Sequence, residues 1–320
     1  MPAADRQPAD VAESFAGDGG AAAGRDALVA AGHGGAAAGD GAPAGRGWSP
    51  QVPTGAPPRP FRARSVVASI LLPLEPPALP VRDLVRCGEL FGITEGTTRV
   101  TLSRMVSAGE LEQGAEGYRL TGRMLARQQR QRRARHPQLQ PWDGRWLLGV
   151  VVAERRRSVE RAALRQTMAA ARLAELRTGV WTRPDNLGAP SPALAAAAGQ
   201  CLWMRGELAD LAGQITAPAG SDESLAARLW DLPGWAAEAR RLVHELSATL
   251  PALVAGDTSA LAPCFAVAAS AVRHITADPL LPAALLPPGW PGDRIRAAYD
   301  EYEVAYGRLL VAWLRSEGTS

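Results

Sequence analysis

The chain has 320 residues, of which 47% are hydrophobic and 21% charged, and its formal net charge is +3. It contains no lysine, so all 35 of its Lys and Arg positions are arginine. No run approaches the roughly 18 apolar residues that a membrane span needs, and the N-terminus lacks the pattern of a secretory signal. Three widely spaced cysteines argue against a zinc site or a disulfide framework. We therefore expect a cytoplasmic protein of two or three domains that does not enter a membrane.

The charge is distributed unevenly along the chain. Residues 1–60 carry four arginines and six acids, residues 61–136 carry thirteen arginines and seven acids, and residues 137–320 carry eighteen arginines and nineteen acids. The first block is rich in Ala, Gly and Pro with almost no large apolar residues, which predicts a disordered tail. The second block has a net charge of +6 and the size of a small DNA-binding domain.

The apolar spacing in the basic block, residues 61–136, predicts three helices followed by a hairpin. The helices are expected at residues 63–74, 81–91 and 95–108. The hairpin strands are expected at residues 111–113 and 118–120. Gly92 provides a tight connection and Thr94 an N-cap, and the third helix should bury Thr98, Leu102 and Met105. This order predicts a winged helix-turn-helix, whose second helix enters the major groove; a generic helical domain with a solvated basic face is the alternative.

The outward residues of the third helix and of the second hairpin strand are the predicted DNA contacts. They are Thr94, Glu95, Thr97, Arg99, Ser103, Arg104, Tyr118 and Arg119. Arg99, Ser103 and Arg104 would read base edges, and Thr94 and Thr97 would contact phosphates. The arginine-rich residues 121–135 would either contact phosphates or form a solvated linker helix.

Residues 137–215 predict a small α+β sandwich of the ferredoxin-like kind. The expected elements are a strand at 147–153, a helix at 158–176, and strands at 179–183 and 200–207. The helix should bury Ala162, Ala169, Leu173 and Leu176 on its apolar side. A basic stripe along this helix consists of Arg157, Arg161, Arg165 and Arg172. The stripe would either bind phosphates or form a solvated face that is partly paired with Glu154 and Glu160.

Residues 216–320 predict a helical domain. Its last helix should be capped by Asp293 and carries an apolar stripe, which is either core or a dimer face. The stripe consists of Ile295, Tyr299, Tyr302, Tyr306, Leu310 and Trp313. His244 and His274 have no nearby ligands and are interpreted as structural. The chain lacks a nucleophile elbow, a phosphate-binding glycine loop and a metal-binding motif, so we expect no enzyme activity, cofactor or metal.

Five segments, in this order along the chain, resemble the PaaX-type repressors of phenylacetic acid catabolism. They are residues 93–106 (ITEGTTRVTLSRMV), 142–146 (WDGRW), 179–186 (GVWTRPDN), 229–232 (LWDL) and 278–292 (DPLLPAALLPPGWPG). The first is similar to the recognition helix of that family and the second to the opening of its middle domain. The chain departs from the family pattern at Glu110, where an aromatic residue is usual, and in its short acidic wing at residues 114–117.

The resemblance implies a winged helix, a ferredoxin-like middle domain and a helical C-terminal domain in a homodimeric repressor. It also implies a double-stranded, palindromic operator and release of DNA on binding an acyl-CoA or aryl-CoA effector. Taken with the basic stripe, it gives a set of candidate effector-binding residues. They are Arg157, Arg161, Arg165, Trp181 and Arg183.

Two other functions stay open at this point. In a regulator controlled by a protein partner, residues 1–60 would form the binding arm. In an enzyme that the basic block docks onto nucleic acid, the middle domain would carry the chemistry and depend on Asp143 or Asp185.

Overall fold

The computed structural model describes residues 61–152, 157–188, 192–208 and 221–316, without the side chains of residues 192, 193 and 196. The predicted tail, Glu154 and the boundary predicted between residues 215 and 216 lie outside this part of the chain. The described residues combine α-helices with two small antiparallel sheets, which confirms the predicted α+β class.

The basic block folds into helices and a small three-stranded sheet. The elements are α1 (Ala63–Leu71), β1 (Ala78–Leu79), α2 (Val81–Glu89), α3 (Glu95–Ser107), β2 (Leu111–Gly114) and β3 (Gly117–Leu120). The sheet order is β1-β3-β2, and Gly92 connects α2 to α3 with a φ of +69°. Thr98, Leu102 and Met105 are buried, as predicted. Helix α1 ends at Leu71, before Pro73, and the two-residue β1 was not predicted.

Helix α4 (Gly122–Arg135) follows the hairpin and packs against the C-terminal helices. Its residue Ala134 is fully buried in one hydrophobic core with Val66 and Ile70 of α1 and with Leu242 and Leu261 of the helical segment. The basic block and the helical segment therefore share a core. The sequence did not indicate this, because each segment has a satisfactory apolar pattern of its own.

The middle segment runs β-α-β-β-α-β along the chain. The elements are β4 (Trp146–Val151), α5 (Ser158–Ala170), β5 (Ala174–Arg177), β6 (Val180–Pro184), α6 (Pro192–Ala197) and β7 (Cys201–Gly206). The sheet has the order β5-β6-β4-β7, and every neighbouring pair is antiparallel. Trp181 packs with Leu164 and Met168 of α5 on one side of the sheet, and Trp146 packs with Trp230 on the other.

The helix predicted at residues 158–176 is wrong at its C-terminal end. Helix α5 stops at Ala170, Arg172 adopts a φ of +64°, and Ala174–Arg177 form an edge strand. The predicted apolar face is only partly correct: Leu173 is buried and Ala169 and Leu176 are half-buried, but Ala162 is exposed. The residues that α5 itself buries are Leu164 and Met168. Alanines along this helix fit several faces, so the apolar spacing did not select the correct one.

Four further α-helices complete the described chain: α7 (Asp222–Leu229), α8 (Leu232–Val254), α9 (Leu261–Thr276) and α10 (Gly292–Ser316). The aromatic stripe of α10 lies in the core, with Tyr302 fully buried and its hydroxyl donating to the Cys264 carbonyl at 3.2 Å. Asp293 lies in the first turn of α10 rather than at its cap. Within the described residues, no helix has the length and apolar character that a membrane crossing requires.

Candidate nucleic-acid interface

The N-terminus of α3 is held by its own threonines. The Thr97 amide donates to the Thr94 hydroxyl oxygen at 3.3 Å, and that hydroxyl donates to the Thr97 side chain at 2.9 Å. Both threonines are exposed, as is Glu95 in the first turn. Because free N–H groups at a helix start attract anions, this end of α3 suits a phosphate, although the Glu95 carboxylate opposes one.

Burial of one face of α3 leaves its arginines in solvent. Arg99 donates to Glu95 at 2.7 Å, and both side chains are about half exposed. Ser103 donates to the Arg99 carbonyl at 3.2 Å, and Arg104 makes no ion pair with any described residue. An exposed pair such as Arg99–Glu95 contributes about 1 kcal/mol or less, so the Arg99 guanidinium is free to exchange partners.

Val100 is a residue of this face that the sequence reasoning missed. It is 52% exposed and lies between Arg99 and Arg104 on the side of α3 opposite the buried residues. The signal was an apolar β-branched residue on the polar face of an otherwise amphipathic helix. Such a side chain is suited to contact with a thymine methyl group.

The hairpin offers less to a polyanion than α3 does. Arg119 is paired with Glu112, its cross-strand partner, at 2.9 Å. Tyr118 is half-buried and packs against the core of the basic block. Glu116 at the turn is exposed and adds negative charge. Of the two hairpin residues predicted to contact DNA, Arg119 is therefore ion-paired and Tyr118 is partly packed in the core.

The contacts of Glu110 account for a charged residue at this position, where the chain departs from the family pattern. Its carboxylate is buried after the end of α3 and accepts from Arg64 of α1 and from Arg123 of α4. The Arg64 hydrogen bond is the main reason why the pKa of Glu110 lies below its usual range; burial opposes this effect, and the charges of both arginines add to it. Glu110, Arg64 and Arg123 thus form a charged clamp that connects α1 and α4 at the end of α3.

We expect Glu110→Gln to lower the free energy of unfolding by about 1.5–3 kcal/mol, the contribution of a hydrogen bond to a charged group. Because the folded pKa of Glu110 is depressed, the stability it adds is present above the unfolded value near 4.3 and is lost as the pH falls below it. Urea unfolding at pH 7 and pH 3 checks this: the difference between wild type and variant should shrink at pH 3. A difference independent of pH would contradict the charged clamp.

Some arginines of α4 form ion pairs with other elements of the chain, and others face solvent. Arg135 binds Asp300 and Glu303 of α10 and lies over the Tyr299 ring, and Arg132 pairs with Glu75. The helix is therefore not a solvated linker. Farther from α10, Arg127 is half-buried, and burial first, then the charges of three neighbouring arginines, lower its pKa. The neighbours are Arg130, Arg273 and Arg64. A bound anion would relieve this repulsion.

The structure does not bring the candidate effector residues to one surface. Arg157, the residue before α5, and Arg161 and Arg165 on the helix are exposed, and we call these three the α5 arginines. Arg157 pairs with Glu160 at 2.8 Å. Trp181 and Arg183 are instead buried between α5 and the sheet. The Arg183 guanidinium donates to carbonyl and amide oxygens of the protein itself, at Pro184, Ala171 and Asn186. These two residues therefore act in packing in the described conformation.

A buried polar joint connects the middle segment to α10 and α4. The Arg172 guanidinium donates to the Asp278 carbonyl, and the Asn186 amide donates to the Leu280 carbonyl at 3.0 Å. Arg296 of α10 donates to the Asp278 carboxylate at 2.7 Å and to the Ala134 carbonyl of α4 at 2.9 Å. Both Arg172 and Leu280 have positive φ values, of 64° and 54°. We call Arg172, Asn186, Asp278 and Arg296 the buried joint.

The residues on which an enzyme would depend are engaged in local ion pairs. Asp143 is exposed beside Arg145 at 3.5 Å, and Asp185 binds Arg205 at 2.8 Å. In the described ranges, no group of three His, Cys, Asp or Glu side chains is arranged to hold a metal ion. His274 is buried, stacks on Trp235 and bonds its carbonyl at 2.9 Å, which agrees with a structural role.

Comparisons with known proteins converge on one family. A family model described as PaaX-like protein matches residues 62–124, one described as the PaaX protein central Cas2-like domain matches residues 139–200, and one described as the PaaX-like protein C-terminal domain matches residues 230–310. Among solved structures, the uncharacterized protein Rv0674 from Mycobacterium tuberculosis is similar to the chain at 39% identity with a TM-score of 0.59. The match covers 78% of this chain and 97% of that one. No curated protein sequence matches.

Proposed function

The chain belongs to the PaaX-like family of transcriptional regulators, and we propose that it binds a double-stranded DNA operator through the exposed face of α3. The observation that carries this proposal is that α3 buries one face completely and presents Arg99, Val100, Ser103 and Arg104 to solvent on the other. In this proposal α1 to β3 form a winged helix and β4 to β7 a ferredoxin-like sandwich, and α3 lies in the major groove.

The chemistry of the exposed face matches that of base edges. Arg99 and Arg104 are suited to the paired acceptors of guanine, Val100 to the methyl group of thymine, and Ser103 to a donor or an acceptor. Thr94 and Thr97, at the start of α3, are proposed to bind phosphates, with Glu95 setting the position of Arg99.

The arginines around Arg127 on α4 are proposed to add sequence-independent contacts with the DNA backbone. Arg130 is exposed and Arg127 half-buried, and the mutual repulsion of the cluster favours an anionic partner.

Tyr118 and Arg119 of the hairpin are assigned a smaller part in DNA binding, because Arg119 is paired with Glu112. We expect Arg119→Ala to weaken DNA binding by less than about 1 kcal/mol, as for an exposed pair, when measured by fluorescence anisotropy. A loss as large as that of Arg99→Ala would assign the hairpin a principal role.

We infer further that the protein is a cytoplasmic homodimeric repressor that an acyl-CoA or aryl-CoA type effector releases from a palindromic operator. This inference rests on the family. On this chain, the exposed Arg157, Arg161 and Arg165 of α5 are the candidate phosphate partners of the effector, while Trp181 and Arg183 would have to become exposed to take part. Replacing the three α5 arginines with alanine should leave operator binding intact and abolish the heat of CoA-thioester binding in calorimetry. Unchanged heat would remove α5 from the site.

The test of the proposed function is the selection of DNA from a random duplex pool by the full-length protein. We expect one enriched motif, which the protein binds at least about 10³-fold more tightly than a scrambled duplex at physiological salt. Its affinity should fall steeply with salt. An enzyme would instead cleave the duplex and lose this activity in Asp143→Ala or Asp185→Ala. Failure to enrich any motif would overturn the proposal.

A further inference from the structure

A groove of about 400 Å³ lies between α8 and the segment that leads into α10. From α8 it is lined by Arg240, His244 and Ser247, which recur at helical spacing on one exposed face. From the opposite side it is lined by Trp290 and by Arg294 in the first turns of α10. Its volume lies in the range of small-molecule sites. The groove is remote in sequence from both α3 and α5.

The groove carries positive charge that the neighbouring acids do not neutralise. Arg240 and Arg294 are exposed, and neither forms an ion pair within the described part of the chain. The acids nearest to Arg240 in sequence, Glu238 and Glu245, are both bound by Arg241 on the adjacent face of α8. Asp293, the residue before Arg294, is exposed and is not part of the groove lining. Two guanidinium groups and an imidazole therefore converge on one concave surface without a carboxylate in its lining.

The remaining lining is suited to holding such a group in place. Trp290 is half-buried and stacks on Trp235 at 4.5 Å, and Trp235 stacks in turn on His274 at 4.5 Å, so the indole wall is fixed by the core. Ser247 adds a hydroxyl group that can donate to an oxyanion. In the groove, the Trp290 indole thus forms an apolar wall that the core holds in place. The guanidinium, imidazole and hydroxyl groups of α8 face it.

We propose that this groove binds the phosphate group of a small molecule. Arginine forms paired, charge-assisted hydrogen bonds with phosphate oxygens, and two guanidinium groups on one concave surface match a dianion better than a single carboxylate. The site is separate from the α5 arginines and does not depend on DNA binding, so it stands or falls independently of the proposed function.

Calorimetric titration of the full-length protein with pyrophosphate, and in parallel with inorganic phosphate, tests the proposal at constant ionic strength. We expect measurable binding of pyrophosphate by the wild type and a loss of at least about tenfold in affinity for Arg240→Ala and for Arg294→Ala. Arg228→Ala, which removes an exposed arginine of α7 that does not line the groove, is the matched control and should bind as the wild type does.

Three outcomes would overturn the site: no binding by the wild type, equal affinity in the groove variants, or loss of binding only when the three α5 arginines are replaced. The last outcome would transfer the phosphate contacts to α5. Because Arg240 and Arg294 are exposed, their replacement should preserve the fold, and equal unfolding midpoints of wild type and variants verify this. If Arg240→Lys restores part of the affinity while Arg240→Ala does not, the charge of the side chain is the cause.

Discussion

Asp278→Asn is expected to lower the free energy of unfolding by about 3–5 kcal/mol, the largest effect of any single substitution considered for this protein. The Asp278 carboxylate is buried and binds Arg296, itself 8% exposed, at 2.7 Å. Loss of the negative charge leaves the Arg296 guanidinium buried without a counter-ion. The Leu280 amide, which donates to Asp278 at 2.8 Å, retains an acceptor in the asparagine, so the substitution tests charge rather than loop geometry.

Urea denaturation at pH 7 measures this effect, with Asp143→Asn as the matched control. Asp143 is an exposed aspartate paired with an exposed arginine, so its replacement should change stability by less than about 1 kcal/mol. The double variant Asp278→Asn/Arg296→Met removes both charges and should recover part of the loss. A single variant within about 0.5 kcal/mol of wild type would show that the pair is not desolvated as described.

As a member of the buried joint, Asp278 also helps to connect the middle segment to α10 and α4. Arg296 contacts the Ala134 carbonyl of α4, which is the helix that follows the proposed DNA-binding elements. Because Arg172 and Asn186 contact the same loop from the middle segment, hydrogen bonds through Asp278 and Arg296 give a direct structural route from that segment to α4. Positive φ values at Arg172 and Leu280 mean that this route runs through strained backbone, which the surrounding contacts must hold in place.

Arg99→Ala is expected to weaken binding to the selected operator by about 1–3 kcal/mol, or roughly 5- to 150-fold. The guanidinium is exposed on α3 and, among the described residues, binds Glu95 alone, so it can turn to a guanine at little cost. Discrimination at one base pair of each half-site should be lost with it. The Arg99→Ala/Arg104→Ala variant should lose more than either single variant, since Arg104 has no partner of its own among the described residues.

Fluorescence anisotropy with the selected duplex and its single-base variants measures this loss, and Arg228→Ala is the control for removal of one positive charge. The control should affect all duplexes equally and weakly. An Arg99→Ala variant that loses affinity uniformly for every duplex would assign Arg99 to the phosphate backbone instead of the bases. Normal operator binding by the double variant would remove α3 from the interface.

The sequence predicted those features that depend on local pattern. Thr98, Leu102 and Met105 recur at helical spacing, and Gly92 permits the left-handed turn before α3, so the helices and the outward residues of the basic block follow from neighbours in the chain. The same pattern failed for α5, where alanines fit several faces and where Arg172 ends the helix with a positive φ.

Contacts between distant residues could not be predicted in this way. Arg183 lies in a predicted strand and Arg161 in a predicted helix. Arg183 is buried and donates to Asn186, whereas Arg161 is exposed. Glu110 is similarly bound by Arg64, which lies 46 residues earlier in the chain, and no local pattern indicates this partner. Partner choice for a charged residue is set by tertiary packing, which apolar periodicity does not report.

The most direct test of the central claim, that the exposed face of α3 reads DNA sequence, is selection from one random duplex pool by the wild type and by Arg99→Ala in parallel. The account predicts that the wild type enriches a single motif and that the variant enriches the same motif with one base pair of each half-site degenerate. Identical motifs from both proteins, or no motif from the wild type, would contradict it.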